Sequence, residues 1–114
     1  IMTPRVDLLL LDLGEADPAP VVRAALAQRL TWLPVVAGDP DEVVGIARLR
    51  DLLARDARPL AELVMPVRFV PEVASVMDLL RDLRESRASE AVVVDEWGGT
   101  AGVVTLENVF EEIV

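Results

Sequence analysis

The chain has 114 residues, a formal net charge of −9 and no cysteine or histidine. The negative charge repels nucleic-acid phosphates at long range, so we expect no nucleic-acid partner. Without cysteine the chain forms no disulfide and has no thiolate, and without histidine it lacks the commonest metal ligand and the commonest general base. We therefore do not expect an enzyme. Hydrophobic residues make up 53% of the chain and aromatic residues 4%, which predicts a core of branched aliphatic side chains with few rings for stacking a ligand.

The first half of the chain reads as a β-α-β-β-α unit. A strand-like run over Val6–Leu13 precedes a helix, for which Asp17 is the predicted N-cap and Pro18 the first helical residue. Two Val-rich strands follow at Leu33–Ala37 and Val43–Ala47, and a short helix closes the unit. The helical residues predicted to face inward are Val22, Ala25 and Leu26, then Leu49, Leu52 and Leu53.

The second half repeats this order after a join marked by Pro59. A strand over Val67–Val70 precedes a helix that Ser75 opens in a Ser-x-x-Asp capping pattern. Strands at Ala91–Val94 and Thr100–Val104 then form a hairpin, and a last helix follows. The helical residues predicted to face inward are Val76, Leu79, Leu80 and Leu83, then Leu106, Val109, Phe110 and Ile113.

The two halves match each other at a shift of 57 residues without a gap. Val35-Val36 falls on Val92-Val93, and Gly45-Ile46 falls on Gly102-Val103. A self-match at a fixed period indicates a tandem repeat, and a unit of this size is marginal alone, so the repeats should share a core. We predict an α/β (α+β) fold of two β-α-β-β-α repeats, residues 1–57 and 58–114, forming one joint globular module.

The chain shows no membrane-span or signal-peptide pattern. Its longest apolar run, Leu8–Leu11, lies between Asp7 and Asp12 and is far shorter than a membrane span. Neither end resembles a natural terminus, so we read the chain as a fragment of a longer protein.

Three segments resemble the CBS-domain pair, also called the Bateman module, and more narrowly the pair of the CorC/CNNM (hemolysin-like) magnesium-transport family. They are Ile1–Asp7, Leu33–Val36 and above all Val92–Asn108, and the resemblance covers nearly the whole chain. It implies two repeats related by pseudo-two-fold symmetry, a homodimer, and adenine nucleotide bound in clefts between the repeats. In CorC/CNNM proteins it implies ATP, generally with Mg²⁺, and a cytoplasmic module attached to a membrane domain, a C-terminal domain or both, in a protein of the inner (plasma) membrane.

The family's ribose-and-phosphate motif is a glycine, two strand residues and Ser/Thr-x-x-Asp. In the second repeat it runs from Gly102 to Asn108. Thr105 supplies the hydroxyl at a helix N-terminus, where backbone N–H groups favour a phosphate. Asn108 replaces the aspartate and lacks its charge, so the affinity for ribose should drop. The alternative for Thr105 is a simple N-cap.

The first repeat departs from the motif in another way. Asp51 is kept, but Arg48 replaces the hydroxyl residue, so this second cleft is altered: Arg48 fills it or binds a phosphate itself. Relatives carry an arginine after the residue that matches Thr31, where this chain has Trp32, which stacks on adenine or is an ordinary packed ring. Trp32 and Asn108 together favour AMP or adenosine over ATP, or no ligand at all.

The predicted nucleotide contacts are Thr3, Arg5, Thr31, Trp32, Leu33, Pro34, Ala91, Val92, Thr105 and Asn108, with Arg48 and Asp51 in the altered cleft. Arg5 has a solvated arginine as its alternative. The acidic groups Asp39/Asp41/Glu42 and Asp95-Glu96 could be mistaken for metal ligands, but they are typical of solvated hairpin turns, and Gly98-Gly99 indicates a turn more than a phosphate loop. We therefore expect no protein metal site, Mg²⁺ only through a nucleotide, and no cofactor needed for folding.

These patterns favour a regulatory module that senses an adenine nucleotide and acts on attached transport-related domains. The alternative is a dimerisation or interaction scaffold with degenerate, ligand-free clefts, for which Trp32, Arg48 and Asn108 argue. An enzyme is the least favoured reading, since no nucleophile–base pair is evident.

Overall fold

A computed structural model describes residues 2–4 and 7–113, except for the side chain of Ile113. The elements in chain order are β1 (Thr3–Pro4), β2 (Leu11–Asp12), α1 (Ala19–Ala27), β3 (Trp32–Ala37), β4 (Asp39–Arg48), α2 (Leu49–Leu53), a 3-10 helix (Leu60–Leu63), β5 (Arg68–Pro71), α3 (Val76–Glu85), β6 (Glu90–Val94), β7 (Thr100–Thr105) and α4 (Leu106–Ile113). The order β-α-β-β-α therefore occurs twice, which confirms the predicted α/β fold.

The chain divides into two compact units. The first-repeat unit spans residues 9–66, and the second-repeat unit joins the described residues up to Leu8 with those from Val67 onward. The prediction of a strand over Val6–Leu13 is wrong for most of its length. Among the described residues of this range, only Leu11–Asp12 form a strand, and Val6 lies outside the described residues. The chain passes from one unit to the other between Leu8 and Leu9. The apolar run Leu8–Leu11 is therefore divided between the two units and does not form one continuous strand.

The first-repeat unit holds a sheet of order β2-β3-β4, with β2 parallel and β4 antiparallel to β3. The helix α1 begins one residue later than predicted, because Pro18 occupies the N-cap position, although the Asp17 carboxylate still accepts a hydrogen bond from the Ala19 N–H at 3.1 Å. The core of this unit consists of Leu11, Ala25, Leu33, Val35, Ala47, Leu49, Leu52, Leu60 and Leu63.

The second-repeat unit holds a sheet of order β1-β7-β6-β5, in which β5 runs parallel to β6. The Ser75 hydroxyl accepts the Asp78 N–H at 3.1 Å, which confirms the predicted cap of α3. The guanidinium of Arg68 donates to both carboxylate oxygens of Asp82, at 3.1 and 2.8 Å, so β5 is tied to α3, and these hydrogen bonds raise the pKa of Arg68. The core consists of Val70, Leu79, Leu83, Ala91, Val93, Val104 and Val109.

Three helical side chains that were predicted to face inward are about half exposed. Leu26, Leu53 and Phe110 each follow a buried residue by one position. One step along a helix rotates a side chain by about 100°, so the residue after the centre of a narrow apolar stripe points toward solvent. The inward face of α3 is confirmed, with Leu79 and Leu83 buried and Val76 and Leu80 packed beside them.

The internal repeat has two registers rather than one. Val35 pairs with Gly45 in the first-repeat unit, and Val93 pairs with Gly102 in the second. The first hairpin is thus one residue longer, so the gapless shift of 57 holds after the hairpin turn but is wrong before it. Before the turn the shift is 58 residues. The same shift relates Arg29 and Arg87, which follow the first helix of each unit and have positive φ angles of 59° and 55°.

Gly45 and Gly102 allow a second segment of chain to cross the hairpin of each unit. Ile46 exchanges backbone hydrogen bonds with Met65 at 2.9 and 2.7 Å, and Val103 pairs with Thr3 in the same antiparallel sense. A Cβ atom at either glycine would overlap the carbonyl oxygen of Met65 or Thr3. These crossing segments were not predicted to form sheet. The sequence feature that they share is a proline directly after the pairing residue, Pro66 after Met65 and Pro4 after Thr3.

Candidate functional site

Thr105 and Asn108 cap each other at the junction of β7 and α4. The Asn108 N–H donates to the Thr105 hydroxyl at 3.1 Å, and the Thr105 N–H donates to the Asn108 side-chain oxygen at 3.0 Å. This is the reciprocal pattern of a capping box, with asparagine in place of the usual Glu or Gln. The N-cap role of Thr105 is therefore confirmed, and its contact with a ligand stays a prediction.

The capping box changes what Asn108 can offer a ligand. Its side-chain oxygen already accepts one backbone N–H, while its amide nitrogen carries two donor hydrogens. An aspartate at this position would have a second, charged oxygen for a ribose hydroxyl. The site at the start of α4 is therefore richer in donors and poorer in acceptors than the family motif.

In both units, the first residue of the last helix donates a backbone hydrogen bond to the residue that precedes the hairpin. The Leu49 N–H donates to the Thr31 carbonyl at 2.9 Å, and the Leu106 N–H donates to the Ser89 carbonyl at 2.7 Å. Ser89 is thus the counterpart of Thr31, and it lies near Thr105. Sequence reasoning missed this hydroxyl residue because the gapless shift placed Thr31 on Ala88.

The cross-strand pairs beside these junctions differ in chemistry. Trp32 lies opposite Arg48 in the β3–β4 ladder, whereas Glu90 lies opposite Thr105 in the β6–β7 ladder. All four side chains are half-buried. The start of α2 thus has an aromatic ring and a cation beside it, while the start of α4 has a carboxylate and a hydroxyl. The asymmetry between the repeats that Arg48 and Trp32 predicted is present in the structure.

Other predicted contacts occupy different surroundings. The side chains of Leu33 and Ala91 lie in the helix-side cores of their units, so only their backbone could meet a ligand. Pro34 and Val92 are buried on the other face of their strands, where the side-chain direction alternates. Thr3 is exposed on β1.

Three predicted residues, Asp51, Arg48 and Arg5, remain to be placed. Asp51 is half-buried in the first turn of α2. Arg48 stands at the N-cap position of that helix and makes no side-chain capping hydrogen bond, because a guanidinium has only donors and cannot accept a backbone N–H. Arg5 lies outside the described residues, and its role stays a prediction.

The predicted acidic turn is confirmed for Asp95-Glu96 but wrong for Asp39/Asp41/Glu42, which lie in β4, and in both places an aspartate accepts backbone N–H groups. The Asp95 carboxylate accepts the N–H groups of Trp97 and Gly99 at 2.9 and 2.8 Å, and the Asp39 carboxylate accepts the Asp41 N–H at 2.9 Å. Gly98 has a φ angle of 79°, in the region that favours glycine, which confirms a hairpin turn there. Across residues 2–4 and 7–113, no three acidic side chains are grouped closely enough to hold a metal ion.

Two surface cavities lie away from these residues. One of about 500 Å³ runs along α3, and another of about 360 Å³ lies in the first-repeat unit beside Val22 and Leu52. Among the described residues that line them, none is a predicted nucleotide contact. In the described part of the chain, no helix has the length and apolar character needed to cross a membrane.

Two β-α-β-β-α units, each with a polar junction where its hairpin meets its last helix, define a tandem α/β repeat module. The chain belongs to the CBS domain family, whose model, described as "CBS domain", matches residues 11–58 and 60–114.

The relatives place the chain within one branch of that family. It is 34% identical over 116 residues to hemolysin C of Brachyspira hyodysenteriae and 39% identical over 119 residues to the magnesium and cobalt efflux protein CorC of Vibrio cholerae. Both matches cover 100% of this chain, but only 43% and 40% of the relatives, so the chain spans less than half of their length.

A solved structure gives the same result. The CBS domain of the bacterial CNNM/CorC family Mg²⁺ transporter in complex with ATP superposes with a TM-score of 0.85 at 39% identity, covering 99% of this chain and 83% of that chain. The resemblance to the CorC/CNNM group is confirmed.

Proposed function

We propose that this chain is a regulatory module that binds an adenine nucleotide in a protein linked to the transport or efflux of Mg²⁺ or a related divalent cation. The observation that carries the proposal is the hydroxyl of Thr105 at the start of α4, kept in a chain that is 39% identical over nearly its whole length to a CBS domain solved with ATP. An N-terminal helix end with a hydroxyl favours an anionic group.

In the second-repeat unit, the proposal assigns nucleotide contacts to Thr105 and Asn108, with further contacts from Thr3, Ala91 and Val92. The carboxylate of Glu90 lies across from Thr105 and opposes a polyphosphate at this position. The amide of Asn108 carries no charge to complement ribose. Both features support AMP or adenosine over ATP as the ligand of this unit.

In the first-repeat unit, the proposal assigns contacts to Thr31, Trp32, Leu33 and Pro34, and an altered site to Arg48 and Asp51. Trp32 can stack on an adenine ring, and Arg48 beside it can pair with a phosphate or stack on Trp32 itself. If the second happens, this position is filled by its own arginine and takes no nucleotide.

The resemblance to the CorC/CNNM group supports a wider role for the module. The proposed module is cytoplasmic, is attached to membrane or C-terminal domains of the same protein at the inner (plasma) membrane, acts as a homodimer and catalyses no reaction. Mg²⁺ enters only through the phosphates of a bound nucleotide. Regulation requires that the nucleotide bind one arrangement of the protein more tightly than another, because a ligand with equal affinity for both shifts nothing.

The test compares Thr105→Ala with Ser75→Ala. Both changes remove a helix N-cap from the same unit and should lower the free energy of unfolding by about 1 kcal/mol. Titration calorimetry with AMP should show a loss of affinity of roughly tenfold or more only for Thr105→Ala, since one lost hydrogen bond to a charged group is worth about 1.5–3 kcal/mol. Equal affinity in both variants would remove Thr105 from the site.

A second candidate function, the ligand-free scaffold, is favoured by one observation. The polar groups of Thr105 and Asn108 already satisfy each other, so the junction needs no ligand to complete its hydrogen bonding. Under this alternative, the wild-type chain gives no heat with any adenine nucleotide at millimolar concentration, but still self-associates.

A further inference from the structure

Two large apolar side chains are almost fully exposed at one end of the second-repeat sheet. Trp97, in the turn between β6 and β7, is 86% exposed, and Val73, in the loop between β5 and α3, is 90% exposed. The parallel strands β5 and β6 both end here, and the Glu72 N–H donates to the Val94 carbonyl at 2.8 Å. The two loops are therefore neighbours, and Trp97 and Val73 share one end of the unit.

The turn that carries Trp97 is held rigidly by its own hydrogen bonds. The Asp95 carboxylate accepts two backbone N–H groups, Asp95 N–H donates to the Gly99 carbonyl at 2.9 Å, and Gly98 N–H donates to the Asp95 carbonyl at 3.1 Å. A side chain presented on a preorganised loop loses little entropy when it binds. Exposed tryptophan on such a loop has the properties of a binding anchor, since tryptophan is among the residues that dominate interface energies.

The charges around this surface select its partner. Glu72 and Glu96 flank the two apolar residues and are exposed, and neither loop contains an arginine or lysine. We call this surface, formed by Glu72, Val73, Glu96 and Trp97, the acidic tip. It repels nucleic acid and anionic lipid headgroups. The same surface of a second copy is disfavoured as its partner as well, because that contact would bring the exposed glutamates Glu72 and Glu96 of both copies together.

We infer that the acidic tip binds an arginine-bearing segment of a partner protein. A guanidinium can stack on the indole of Trp97 and pair with Glu72 or Glu96, while apolar side chains of the segment cover Val73. The inference is independent of nucleotide binding, because it uses no residue of the proposed nucleotide site.

The experiment uses a short synthetic peptide that alternates arginine with leucine, titrated into the chain at about 0.15 M salt, where long-range attraction is screened within about 8 Å. Trp97→Ala should weaken binding by roughly tenfold or more, and Glu72→Gln combined with Glu96→Gln should weaken it severalfold. Two matched controls are Met77→Ala, an exposed apolar residue on α3, and Glu42→Gln, an exposed carboxylate of the first-repeat unit. Each control should change the affinity less than twofold.

Three further arms decide among the alternatives. A peptide with citrulline in place of arginine should not bind, and one with lysine should bind more weakly, because lysine lacks the planar group that stacks on an indole. Loss of affinity in the controls equal to that in Trp97→Ala, or no peptide binding at all, would overturn the inference. The inference would also be overturned if the wild-type chain, but not Trp97→Ala, sedimented together with zwitterionic lipid vesicles. It would be overturned as well if the wild-type chain self-associated and Trp97→Ala abolished this.

Discussion

Glu90 lies directly across from Thr105 in the β6–β7 ladder, at the position where the first-repeat unit pairs Trp32 with Arg48. Side chains at such positions have Cβ atoms about 5 Å apart. The two repeats thus share their backbone hydrogen bonds at this junction but carry opposite charges beside it. The Glu90 carboxylate therefore weakens the attraction that the start of α4 has for a phosphate, whereas Arg48 adds to the attraction at the start of α2.

The first prediction concerns this carboxylate. Glu90→Gln removes one negative charge beside Thr105, so the affinity for ATP should rise by roughly fivefold, about 1 kcal/mol, and the affinity for adenosine should not change. Calorimetry with both ligands measures this. Glu85→Gln, an exposed carboxylate on α3, is the matched control and should leave both affinities as they are. An equal gain for ATP and adenosine would rule out the electrostatic explanation.

The second prediction restores the family's carboxylate. Asn108→Asp keeps an oxygen for the Thr105 N–H and adds a charged acceptor for ribose, so AMP should bind roughly tenfold more tightly. A negative charge in the first turn of a helix also stabilises it, by about 0.5 kcal/mol, which thermal unfolding should detect. If stability rises and the affinity for AMP stays constant, Asn108 acts only as a cap.

The third prediction tests the crossing segments. Gly45→Ala and Gly102→Ala place a Cβ against a backbone carbonyl, which cannot rotate away, so each should cost about 2 kcal/mol or more of unfolding free energy. Gly14→Ala is the matched control, because its Cβ would meet only the Asp12 side chain at an ordinary 3.5 Å. Chemical denaturation of the three variants gives the comparison, and a mild effect at Gly45 and Gly102 would show that the segments are not held closely.

The fourth prediction concerns the helix ends. Arg29 and Arg87 have left-handed backbones, and the following residues close the helices by hydrogen bonds from Leu30 N–H to Ala25 and from Ala88 N–H to Leu83. Glycine is favoured at this position, so Arg29→Gly or Arg87→Gly should each stabilise the fold by about 0.5–1 kcal/mol. Arg23→Gly, within α1, should instead destabilise it by about 1 kcal/mol. Destabilisation by all three would contradict this account of the helix ends.

Features set by local chemistry were predicted well. Ser75 caps α3 as its Ser-x-x-Asp pattern indicated, and three of the four hairpin strands lie within one residue of their predicted ranges, whereas β4 begins four residues before the predicted Val43. A cap and a Val-rich strand each depend on a few adjacent residues, so the sequence displays them directly.

Features set by packing were not predicted. Leu53 and Phe110 look like core residues, but only the position of the neighbouring layer shows that they point to solvent. The glycine pair Gly45 and Gly102 was recognised as a repeat marker, whereas the close approach of Met65 and Thr3 that explains it depends on contacts distant in sequence. Ser89 was missed for a related reason, since the longer first hairpin hides its equivalence with Thr31.

The candidate site was predicted as a set of residues, and the structure adds their surroundings. Thr105 and Asn108 are brought together, with each side chain bonded to the backbone of the other. The influence of Glu90 could not be seen in the sequence, because it depends on the register between β6 and β7.

The most direct test of the central claim is titration calorimetry of the unmodified chain with AMP, ADP and ATP, each with and without Mg²⁺. The account predicts saturable heat with AMP that does not depend on Mg²⁺, and weaker binding of ATP that Mg²⁺ improves by neutralising part of its charge. No heat with any of the three at millimolar concentration would contradict it.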